Sequence, residues 1–460
     1  MDLLFSDNQH ELYSLNSVLI MTVSSLILFS LSLSNNIILK WICLISVLFF
    51  THRFVITYIY PSTLDYHKLL QFSKVEIEKA LLIYLYSLYA LVLAFIVSKI
   101  KLIKNYSLSN KFLNSEYKLN NSIKILGVPA NFNSQVKWLL YAAVILSLIK
   151  IFFFFNYNFG IIGNTISEDL TYLMRVVTLS DIMFFPIIFI YIYVKKESLP
   201  NKKLIIFALL LVIFTSAMMT SRAIILVFIL NAYLTCMILN IRIPRKYFIL
   251  SILGLLFAVF FFYTFMTSLR EAIIVEDMSK LKIISKDYVN LIIGISSRVG
   301  TAYDSWFLWS SQLPSLSLRL ETFSITNDFF RLINSFYIGE LVEVPSERWL
   351  GKYQLEIGRG YLEFDKHGGT SENPGPISTA WIYFHQYSFI YWFMLYYFLL
   401  KLQDFNLHPF WVFFIVYSYA HGPSGNIVMQ STAFTFLMIF FLIGILVITL
   451  RVIKRYLIYS

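Results

Sequence analysis

The chain has 460 residues, of which 58% are hydrophobic and only 14% charged, with a mean hydropathy of +0.70. Soluble domains carry roughly 25% charged residues. With so few here, a compact fold in water is excluded, because its apolar surface has too few polar groups to cover it. The formal net charge of +11 is read as topology-setting cytoplasmic Lys and Arg, not as a nucleic-acid surface.

A helix that crosses a bilayer needs about 20 mostly apolar residues. Such runs predict crossings at 15–34, 37–58, 77–98, 138–157, 173–194, 203–220, 222–240, 247–267, 378–400, 409–422 and 431–450, the tenth being the shortest. The first run follows a start, Met1 to Ser14, without Lys or Arg, so no cleavable signal peptide is expected. The expected fold is all-α: a polytopic transmembrane bundle of about 11 spans with one large extracytoplasmic loop. Residues 1–267 hold the first eight helices, 268–377 the loop with short helices of its own, and 378–460 the last three helices. Phe (44) suits lipid-facing surfaces and Tyr (31) suits interfaces and wet cavities. Cys43 and Cys236 both lie in apolar runs, which argues against a disulfide framework or a structural zinc site.

Basic clusters set the expected orientation. Residues 99–137 carry Lys99, Lys101, Lys104, Lys111, Lys118, Lys124 and Lys137 against Glu116 alone. Lys195, Lys196, Lys202 and Lys203 follow, then Arg242, Arg245 and Lys246, then Arg451, Lys454 and Arg455. Threading eleven crossings puts all four clusters on one side, the cytoplasmic side by the positive-inside rule. The N-terminus then lies outside and the C-terminus inside. Residues 268–377 fall outside, and their 11 Lys/Arg are balanced by 14 Asp/Glu. Long loops of this kind are usually functional.

Two short features carry candidate chemistry. Thr220-Ser221-Arg222-Ala223 joins two apolar runs with no loop between them. Charge in hydrocarbon is costly, so Arg222 must face a cavity or the outer interface. It either snorkels to cap a tight turn or aims its planar fork of donors at an anion, a phosphate above all. The second feature, Glu363 to Pro376, is rich in Gly and Pro and shapes a turn before the ninth crossing. It sets His367 and Glu372 near the outer surface, where either side chain can take a proton from a hydroxyl nucleophile; a turn whose polar groups only meet water explains them equally well. Arg270 follows the eighth crossing. Arg298 lies near Asp304, a plausible structural pair. Arg359 sits between Gly358 and Gly360, and His421 opens the last outer turn. Tyr303 and Trp306, with Trp309 and Trp349, suit stacking on sugar rings, although interfacial anchoring accounts for each singly. No Walker motif, dinucleotide fingerprint, His-Glu-x-x-His pair or DxD-like acidic pair is present, so neither a cofactor nor a metal is expected.

With these features the chain resembles the Wzy-type O-antigen and capsule repeat-unit polymerases. The shared elements are the number of spans, one large outer loop late in the chain, a Ser-Arg turn (Thr220 to Arg222) and a polar Gly/His segment before the late helices (His367 to Gly375). The likeness is one of architecture over most of the chain. It implies a GT-C-like membrane glycosyltransferase of a bacterial inner membrane with its site facing the periplasm. The implied reaction is inverting and metal-independent: a growing glycan leaves undecaprenyl pyrophosphate for a sugar hydroxyl on a new lipid-linked repeat unit. Arg222, helped by Arg270 or Arg298, would stabilise the pyrophosphate leaving group, and His367 or Glu372 would be the base. Arg359, His421, Tyr303 and Trp306 would line the substrate site. A chain-length regulator protein is an implied partner. The Ser-Arg turn also resembles that of the O-antigen ligases, but the outer loop has no Gly-His-x-His-Asn-like string. A lipid-linked oligosaccharide flippase is the rival from another class.

Overall fold

The computed structural model describes residues 13–59, 73–100, 147–153, 206–208, 233–238 and 384–402, with single residues and pairs elsewhere. Among the described residues the structure is helical and contains no strand. The elements are α1 (Leu15–Ser32), α2 (Ile37–Ser46), a π-helical turn (Val47–Thr51), α3 (His52–Ile59), α4 (Lys74–Lys99), a 3-10 turn (His385–Tyr387) and α5 (Ser388–Lys401). Leu15–Ser32, Ile37–Ile59 and Lys74–Lys99 are each long and apolar enough to cross a membrane. They match the expected crossings at 15–34, 37–58 and 77–98 to within a turn.

Local sequence sets the helix starts. Ser14 accepts from the backbone N–H of Ser17 at 3.1 Å, and Asn36 Oδ1 accepts from that of Leu39 at 2.9 Å. Ser73 and Glu76 form a reciprocal capping box ahead of α4. Each cap satisfies a donor that a helix start otherwise leaves without an intrahelical partner.

The helices expose large apolar side chains that a soluble protein would cover. On α1 the buried positions are Ser17, Met21, Ser24, Leu28 and Leu31, while Leu26 (61%) and Phe29 (63%) are exposed. On α4 the small residues Ala80, Ser87 and Ala94 recur every seventh position, all fully buried. Small residues let backbones approach closely, and in lipid that packing replaces the hydrophobic effect. Ser24 donates to the Ile20 carbonyl at 2.8 Å and Ser87 to that of Tyr84 at 2.7 Å, so these buried hydroxyls are satisfied within their own helices.

The chain forms two compact units. One comprises Met1–Lys104, Asp287–Lys401 and Ser418–Gln430; the other comprises Asn105–Lys286, Leu402–Tyr417 and Ser431–Ser460. In the second unit the described stretches 147–153 and 233–238 are helical and bury Ser147, Lys150, Phe153, Leu234 and Thr235.

Within the first unit, side-chain contacts fix direction. The end holding Ser14 also holds the start of α4, because the Ser14 hydroxyl donates to Glu78. Tyr13 meets Thr57 near the end of α3, so α2 to α3 returns antiparallel to α1. α5 runs parallel to α4: Tyr86 packs on Phe389 with ring centroids 4.9 Å apart, and Lys401 Nζ donates to the Ser98 carbonyl at 3.0 Å. Both pairs are 303 positions apart, so the two helices lie in register over three turns.

The late crossing expected at 378–400 is not one uninterrupted helix. Residues 385–387 form a 3-10 turn, with His385 at φ +46°, and α5 starts only at Ser388. A left-handed non-glycine residue costs roughly 1–2 kcal/mol and breaks the α ladder there. The 14 residues of α5 span about 21 Å, short of a hydrocarbon core of about 30 Å. Hydropathy reads straight through this break because Trp381, Tyr383, Phe384 and Phe389 surround it.

Candidate functional site

The residues expected from the sequence to form the site (Arg222, Arg270, Arg298, Tyr303, Trp306, Arg359, His367, Glu372 and His421) lie outside the described residues, as do nearly all positions of 268–377. The described residues contain a different polar centre, one not singled out from the sequence.

It begins at the π-helical turn. Val47–Thr51 interrupts an apolar segment, and the His52 N–H reaches back five residues to the Val47 carbonyl. π-helical turns are rare and are frequent at functional sites. Each adds a residue to one turn and delays the helical phase. Phe50, Arg53, Phe54 and Thr57 thereby continue the buried face that Ile38, Leu39, Ile42 and Ile45 begin.

The consequence is that Arg53 is 0% exposed. Helical side chains lean toward the N-terminus of their own helix, which for α3 is away from the nearer bundle end, so Arg53 does not snorkel. An arginine cannot escape burial by losing its proton. One turn on, Thr57 Oγ1 lies 2.9 Å from the Arg53 carbonyl and 3.1 Å from that of Phe54. Its single proton goes to the backbone, so it accepts from the Tyr13 phenol at 2.5 Å. The Tyr13 ring packs on Phe54 at 4.5 Å, tying the segment before α1 to this face of α3. One buried polar atom beside the arginine, Thr51 Oγ1, has no hydrogen-bond partner among the described residues.

The second irregularity lies at the same height. Phe50 stacks on Tyr84 at 4.6 Å, and α3 runs antiparallel to α4, so Arg53 falls level with Leu81. The register of α5 with α4 sets His385 level with Leu82. Near this break Trp381 Nε1 is buried with no hydrogen-bond partner among the described residues, and Ser388, fully buried, donates to the His385 carbonyl at 2.5 Å. The Ile37–Ile59 segment and the apolar segment that leads into α5 therefore both depart from α geometry at one depth. In lipid, such departures are tolerated only inside protein or along a water-filled cavity.

Among the described residues no group of His, Cys, Asp and Glu is arranged to hold a metal ion. The sequence signal for the arginine was the adjacent pair His52-Arg53 within an apolar window, since a charge inside a span marks function by default. No protein-family model, curated protein or solved structure matches the chain.

Proposed function

We propose that the chain is a multi-pass membrane glycosyltransferase of about eleven crossings that polymerises a lipid-linked glycan on the extracytoplasmic face of a bacterial inner membrane. The growing chain leaves undecaprenyl pyrophosphate for a sugar hydroxyl on a new lipid-linked repeat unit. The observation carrying this reading is the convergence in the sequence of the acid-balanced segment 268–377, the Ser221-Arg222 turn and His367 on the side opposite four basic clusters. The parallel run of α4 and α5 supports it, because the five apolar runs between them, an odd number, require that direction.

In this reading Arg222 faces the pyrophosphate as negative charge develops on it, and His367 or Glu372 takes the proton from the attacking hydroxyl. A preorganised donor to developing charge is worth on the order of 100- to 1000-fold in rate. Reconstitution in proteoliposomes with a synthetic lipid-linked repeat unit tests this. Wild-type protein gives a ladder of products, and Arg222→Ala, folded and inserted, loses on the order of 100-fold or more of the rate. An unchanged ladder from Arg222→Ala removes its phosphate role, and wild-type protein that makes no ladder removes the polymerase reading.

The interrupted segments at Val47–Thr51 and His385–Tyr387 favour a second reading, a flippase for lipid-linked oligosaccharide, since transporters build substrate sites from broken helices. Movement of a fluorescent lipid-linked repeat unit across the same proteoliposomes, with no ladder, is its distinguishing result.

A further inference from the structure

We propose that Lys150 forms an ion pair with Asp181 inside the membrane, joining the fourth and fifth expected crossings, 138–157 and 173–194, at one depth. The pair is independent of the polymerase and flippase readings, because it needs only that these two runs cross as neighbours.

The structure supplies the cation. Along the described helical stretch 147–153, Ser147, Lys150 and Phe153 are buried, Lys150 to 1% exposure, while Leu148 and Phe152 are exposed. The lysine therefore faces protein and the apolar side chains face outward. An ammonium buried deep in a spanning helix is costly unless an anion meets it. One turn earlier, on the same face, the buried Ser147 hydroxyl has no hydrogen-bond partner among the described residues. A carboxylate accepts from both groups, since its two oxygens offer about four lone-pair sites.

The sequence supplies the anion. Asp181 lies outside the described residues and enters by its position in the chain. Across the eleven apolar runs the only acids are Glu78, second in its run, and Asp181, ninth in its run. Asp181 is thus the one carboxylate carried deep into the apolar part. Consecutive crossings run antiparallel, and residues 158–172 join the near ends of these two. Lys150 lies seven residues before that end of its run, about 10 Å, and Asp181 eight residues after the start of its own, about 12 Å. The two charges therefore fall at one level. Helical side chains lean toward the N-terminus of their own helix, which carries Lys150 toward Ser147 and the depth of Asp181. Arg175 lies six positions before Asp181, about 120° away around a helix, so it does not share a face with the carboxylate. Lys150 and Asp181 belong to the same compact unit, whereas Arg53, the other cation deep in an apolar run, belongs to the first unit.

Leucine at either position leaves the other charge buried and uncompensated, which costs far more than removing both. Thermal melting of the purified full chain in detergent reads the difference. Lys150→Leu and Asp181→Leu are each expected to lower the melting temperature by about 5–10 °C. The double variant is expected to return to within about 2 °C of wild type, a recovery that two independent sites do not give. Where a single variant does not fold, the readout is its rescue: the double variant yields folded protein and the single does not. Single variants that melt like wild type overturn the proposal, as does a double variant no better than the worse single. Rescue of Asp181→Leu by Arg53→Leu and not by Lys150→Leu also overturns it, by assigning the carboxylate to Arg53.

Discussion

The two ends of the helical bundle in the first unit handle charge differently. At the Ser14 end, acids meet helix starts: Glu76 closes the capping box of α4, and Glu78 accepts from the hydroxyl that caps α1. At the Ser98 end, cations meet helix ends. Lys401 donates to the Ser98 carbonyl in the last turn of α4, and Lys99 lies 5.4 Å from the Phe95 ring centroid. Three helices (α1, α4 and α5) finish at that end, each with a partial negative charge on its terminal carbonyls. Lys99 and Lys401 thus have two sufficient causes, the helix dipoles and the topology proposed from the basic clusters, and their position cannot choose between them. Lys104, Lys111, Lys118, Lys124 and Lys137, which follow α4 in sequence beyond its end, have only the second. They are the stronger witnesses to sidedness.

Experiments can break this comparison in descending order of effect. The sharpest is all-or-none. Leu320→Cys reacts with a membrane-impermeant maleimide from outside intact spheroplasts, and Asn114→Cys reacts only after permeabilisation. The reverse pattern overturns the orientation. Next, Asn36→Ala and Ser14→Ala are expected to destabilise unequally in thermal unfolding in detergent. Each loses an N-cap worth about 1 kcal/mol, but Asn36 also donates from Nδ2 to the Leu400 carbonyl at 3.4 Å, so its loss is expected to reach about 2 kcal/mol. Equal losses remove the bridging role of Asn36. The smallest effect belongs to Lys401→Gln. It is expected to cost about 0.3–1 kcal/mol through the α4 terminus with sidedness unchanged in the labelling assay. A change in sidedness assigns Lys401 to topology instead.

Much of the described fold was legible because length and apolarity are properties of a window. The runs 15–34, 37–58 and 77–98 each became a helix of nearly those bounds, and Ser73 with Glu76 spelled out its capping box. What escaped was hydrogen-bond register. A π turn at Val47–Thr51 and a left-handed His385 leave hydropathy unchanged while altering which residues face inward. Arg53 was missed because Phe49, Phe50, Phe54, Val55 and Ile56, all within about a turn of it, hid one charge in the window. The pairing of α4 with α5 was also invisible, since it joins positions 303 apart. The arginines, the histidines His367 and His421, Glu372, Tyr303 and Trp306 chosen from the sequence lie outside the described residues, and their roles rest on sequence.

The Asn36 side chain has a consequence in time. Its amide caps the start of α2 at Leu39 and donates to the Leu400 carbonyl of α5, 364 positions later. Ribosomes add about 5–20 residues per second. The early hairpin and α4 therefore wait, by that rate, about 15–60 s in the membrane before the strip of α4 around Tyr86 and Ser98 acquires its neighbour. During that interval lipid, or an insertion factor, must occupy the strip. A nascent chain stopped before Ser388 is then a natural substrate for membrane proteases.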